Sequence, residues 1–95
     1  MIASMDRAVR VATQLESNLE LHKRIHGSRW VEIMADIGTA LQLHMKATGE
    51  MNPIKAVLPI AEAMSRDNKN PMLLVAVATD LDRSMFIKQQ NEEPK

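Results

Sequence analysis

The stretch MDRAVRVATQLESNLELHKRIHGS, residues 5–28, decides the fold class. In it Met5, Ala8, Ala12, Leu15, Leu19, His22 and His26 recur at alternating spacings of three and four. A half-buried strand repeats every two residues, whereas this pattern is the seam of a helix lying lengthwise on another helix. Gly27 then ends the run, because glycine enters the left-handed backbone region that closes helices. Lys23 and Arg24 fall in the last turn, where cations suit the helix dipole. The reading predicts a first helix over about 4–26.

Downstream, Ser28 is positioned to cap a second helix over 28–48, and Gly49 to close it. Trp30, Met34, Ile37, Leu41, His44 and Thr48 continue the three/four spacing. Ile33, Ala40 and Ala47 widen the stripe on one flank, Val31 and Met45 on the other. The short link Gly27-Ser28 predicts that the two helices form an antiparallel hairpin. Asn52-Pro53 and Asn70-Pro71 are twin start signals, since Asn caps and Pro fits the first turn. They predict a third helix over 53–65 and a fourth over 71–89, separated by a polar loop at 66–70. Pro59 should kink or break the third helix, because an interior proline removes a hydrogen bond and crowds the preceding turn.

The sum is an all-α, small four-helix domain spanning 1–95, with 90–95 expected to be a disordered tail. The composition agrees. Apolar residues make up 45% of the chain, and one Trp, one Phe and no Tyr leave little to build a sheet from. Residues 72–78, Met-Leu-Leu-Val-Ala-Val-Ala, are apolar all round, which predicts burial on every side. So small a domain has difficulty surrounding one of its own helices, so a homo-oligomer, most simply a dimer, is expected to bury Leu74, Val75 and Ala78 across its interface.

Twelve basic residues balance twelve acidic ones, leaving no field to hold nucleic acid. There is no Cys, which removes disulfide and thiolate chemistry and fits a cytoplasmic setting. No membrane span or signal peptide is expected, since no apolar run is long enough and the first residues lack the basic and apolar blocks of a leader.

Three candidate sites emerge. Lys23, Arg24, His26, Ser28, Arg29 and Trp30 join cations, a helix start and the sole Trp, the ingredients of a site for an anionic ligand such as a nucleotide. Leu21 and Ile25 form an apolar pair one turn apart and off the main seam; with Leu43 they mark a contact surface for a protein partner. His22 and His26 have the spacing for a shared metal, but His44 falls about 15 Å along the hairpin axis from them. No metal and no cofactor is therefore expected. Nothing at nucleophile–base spacing supports catalysis, so the chain is not expected to be an enzyme. The leading expectation is a non-catalytic, oligomeric interaction protein that binds and inhibits another macromolecule, as small bacterial or phage regulators do. The alternative is a binder of an anionic small molecule at the turn near Gly27.

Overall fold

In the computed structural model, the backbone is described over residues 3–92 and the side chains over 5–86. Five α-helical segments follow in order: α1 (Ala3–Glu16), α2 (Leu19–His26), α3 (Trp30–Thr48), α4 (Pro53–Arg66) and α5 (Met72–Glu92). A 3-10 turn, Gly27–Arg29, joins α2 to α3. No strand occurs among the described residues, so the all-α class holds.

The first seam folds as its spacing requires, up to a point. Met5, Ala8, Ala12 and Leu15 are all buried. Beyond Leu15 the single helix expected over 4–26 is interrupted. The Ser17 hydroxyl donates to the Gln14 carbonyl at 2.6 Å. Asn18 then leaves the helical region with φ −156, and its Oδ1 accepts the Leu21 N–H at 3.3 Å, capping α2. Ser and Asn compete for backbone partners in this way, and here the competition ends one helix and starts another. The contact expected of the hairpin is consequently carried by α1, which packs along α3, while α2 touches mainly its chain neighbours α1 and the 3-10 turn.

Gly27 closes α2 at φ +53, its N–H donating to the Lys23 carbonyl. Ser28, expected to cap the next helix, does not. His26 is already helical at φ −81, the chain turns straight into the 3-10 segment, and no side chain caps either that turn or α3. An N-cap needs an extended backbone at the capping residue, and none is available here. Gly49 does close α3, at φ +79 with its N–H on the Met45 carbonyl at 2.8 Å.

Both Asn-Pro signals act alike. Asn52 Oδ1 accepts the Ile54 N–H at 2.9 Å, and Asn70 Oδ1 accepts the Met72 N–H at 3.0 Å. The α4 helix runs unbroken through Pro59, so of the two expected outcomes, a kink or a break, the break does not occur. Proline costs the Lys55 carbonyl its helical partner, but Pro59 and Lys55 are both exposed, so the loss falls on the solvent-facing side of the helix. The loop after α4 turns at Asn68, φ +59, with the Lys69 N–H reaching back to the Met64 carbonyl at 2.8 Å. The α5 helix ends at Glu92, past the expected end at 89; the remainder of the tail, 93–95, lies outside the described residues.

One core unites α1, α3, α4 and α5. Ile37, Ala40, Leu41 and Met45 enter it from α3, Ala56, Val57 and Met64 from α4, and Leu73, Leu74, Val77 and Ala78 from α5. Trp30 packs half-buried at its edge. The burial of α5 is one-sided, because Met72 stays 63% exposed and Ala76 is exposed too. No described helix is long and apolar enough to cross a membrane.

Candidate interaction surface

An eight-residue helix is marginal in water without support. Here α2 receives that support at its ends, from Asn18 and Gly27, and from a half-buried Leu19 against the core. None of its residues is buried. Leu21 and Ile25, one turn apart, are 43% and 64% exposed. Val31, just beyond the turn, is 73% exposed. Lys23, Arg24 and Arg29 are exposed in the same short region.

The six residues expected to hold an anion are less open than their sequence suggested. The Lys23 Nζ sits over the Trp30 ring, 5.8 Å from its centroid, so the indole meets a cation from its own chain. The Gly27 N–H is taken by Lys23 and the Trp30 N–H by the Gly27 carbonyl, which removes two of the donors an anion would use. His26 stacks on His22, centroids 6.0 Å apart and planes 13° off parallel. Ser28 and Arg29 lie in the 3-10 turn. None of the six lines either of the two cavities described below. His44 is half-buried on α3 with its Nδ1 buried and without a hydrogen-bond partner. Among the described residues no three His, Asp or Glu side chains gather as a metal site.

Leu43 belongs elsewhere. It is 50% exposed and lines a groove of ≈ 490 Å³ between α1 and α3. Ala8 and Ala40 form its floor with Ile37; Arg7 and Val11 stand on the α1 side, and Ile33, Asp36, Thr39 and Leu43 on the α3 side. Neither Leu21 nor Ile25 lines it, so the three residues expected to form one partner surface divide between two places. A shallower hollow of ≈ 440 Å³ runs along α4 past Leu58, Ala61, Glu62, Ser65 and Arg66.

Of the residues expected at an oligomer interface, Leu74 and Ala78 are wholly buried inside the chain and Val75 is half-buried. The neighbouring helices α1, α3 and α4 all contact α5, so this small chain does cover that face unaided. Leu74 and Ala78 are core residues and have no surface to offer a second subunit. Sequence reading also missed exposed apolar residues on α4 and at its approach: Met51, Ile54 and Leu58, at 78%, 37% and 53%. Ile54 and Leu58 have the same i, i+4 spacing that singled out Leu21 and Ile25, and that spacing was the available signal.

Compared with known proteins, the chain matches no family model, no curated protein and no solved structure.

Proposed function

We propose that the chain is a non-catalytic interaction protein that docks through α2 on another protein and inhibits it, as a small regulator would. The observation that carries this reading is that α2 contributes no buried residue while holding Leu21 and Ile25 in solvent. A helix that adds so little to its own core is available for another surface. Covering what remains open of those two side chains is worth on the order of 2 kcal/mol at the usual transfer coefficient. Around them Lys23, Arg24 and Arg29 supply positive charge. The fitting partner therefore offers an apolar patch rimmed by carboxylates, and the charged rim sets encounter rate and register.

Site-specific photocrosslinking in the source cells tests the reading. A photoreactive residue at position 25 is expected to yield one adduct of defined mass. The same residue at position 80, exposed on α5, is the control. No adduct at position 25, or the same adducts at both positions, overturns the assignment.

A further inference from the structure

The groove between α1 and α3 is a second surface, built differently from α2. Its floor is low because Ala8 and Ala40, both buried, stand where larger side chains would fill the space. Its two rims each combine a charge with an apolar residue. Arg7 and Val11 lie one turn apart on α1; Asp36, Thr39 and Leu43 follow at spacings of three and four on α3. The charges are opposite in sign, and both side chains are exposed. Leu43, 50% exposed, is the most exposed apolar side chain on the α3 rim.

We propose that this groove pairs with the same groove of a second copy of the chain, Arg7 of each copy meeting Asp36 of the other. Charge complementarity selects that occupant. A two-fold axis lying along the groove sets the α1 rim of each copy over the α3 rim of the other. In a two-fold interface, when residue i meets residue j, residue j meets residue i. One operation therefore satisfies both charges of both copies, and it sets each Leu43 against the α1 rim of the other copy. A ligand of a single charge sign would leave one rim facing its own sign. The chain's zero formal net charge means that two copies meet without bulk repulsion.

This pairing is independent of the α2 reading, because the two surfaces share no residue.

Sedimentation equilibrium of the full chain and of two exposed-site variants is the test. Wild-type mass is expected to rise with concentration from 10.7 kDa toward twice that value. Arg7→Glu places two like-charged pairs across the interface, and Asp36→Lys does the same with the opposite sign. Each alone is expected to raise the dimer Kd about tenfold or more. An equimolar mixture of the two variants is expected to pair again, because Glu at position 7 then faces Lys at position 36 while the native Arg7 and Asp36 face each other. A fault in folding would not be repaired by mixing. Circular dichroism checks that helicity is kept, and Arg7→Gln with Asp36→Asn gives the same readout, with a smaller rise, if charge reversal disturbs it. Three results overturn the proposal: a wild-type single chain up to about 100 μM, a dimer indifferent to both variants, or variants that weaken pairing but fail to recover when mixed.

Discussion

Replacing Gly38 by alanine should make the protein more stable, and the structure fixes the sign. Gly38 lies inside α3, where glycine costs about 0.8–1.0 kcal/mol relative to alanine through backbone entropy. That gain is realised only if the new methyl has room. A Cβ built at Gly38 comes 3.7 Å from the Val77 Cγ1 of α5, an ordinary van der Waals distance, and meets nothing nearer. The half-buried site adds a fraction of the about 0.8 kcal/mol of a fully buried methylene. The expected gain is therefore about 1 kcal/mol, which in a domain of this size raises Tm by about 4–8 °C. Gly49→Ala provides the contrast. Nothing lies within 4 Å of its Cβ position, but φ is +79, and an L-residue held there costs about 1–2 kcal/mol. Thermal and urea unfolding followed by circular dichroism would read both variants. Opposite signs are predicted. A fall in stability for Gly38→Ala would refute the α3–α5 spacing described here.

Other consequences follow from single contacts. Asn52→Ala and Asn70→Ala each remove a side-chain cap and should cost about 1 kcal/mol in urea unfolding. Pro59→Ala removes an interior-helix proline, whose missing hydrogen bond and ring crowding together cost about 3 kcal/mol, less up to about 1 kcal/mol for a looser unfolded chain; a net gain near 2 kcal/mol is expected in the same assay. Leu74→Ala should cost about 2–5 kcal/mol by opening a cavity, with no change in sedimenting mass, because Leu74 is buried within one chain.

Much of this architecture was legible because its signals are local. The seam Met5, Ala8, Ala12, Leu15, the Asn-Pro starts and the closing Gly49 need only neighbouring residues, and each acts as read. What failed needed more. The apolar period runs through Ser17 and Asn18 without a gap, so the seam alone gives one helix; the break rests on two side chains choosing backbone partners, and the Ser-Asn pair was its only sign. For 72–78, composition states how apolar the segment is and not which side is covered. Leaving a methionine and an alanine in water costs little, so Met72 and Ala76 face out while Leu74 and Ala78 close the core. Of the candidate surfaces, Leu21 and Ile25 were found by spacing. The α1–α3 groove was not, because it depends on which small residues face each other across two helices.

The central claim is that Leu21 and Ile25 serve a surface and not the chain's own core. The urea midpoint of the double variant Leu21→Glu, Ile25→Glu, measured against wild type, tests it most directly. The account predicts a stability within about 0.5 kcal/mol of wild type, as for surface positions generally. A loss above about 2 kcal/mol would place both side chains in the core and contradict it.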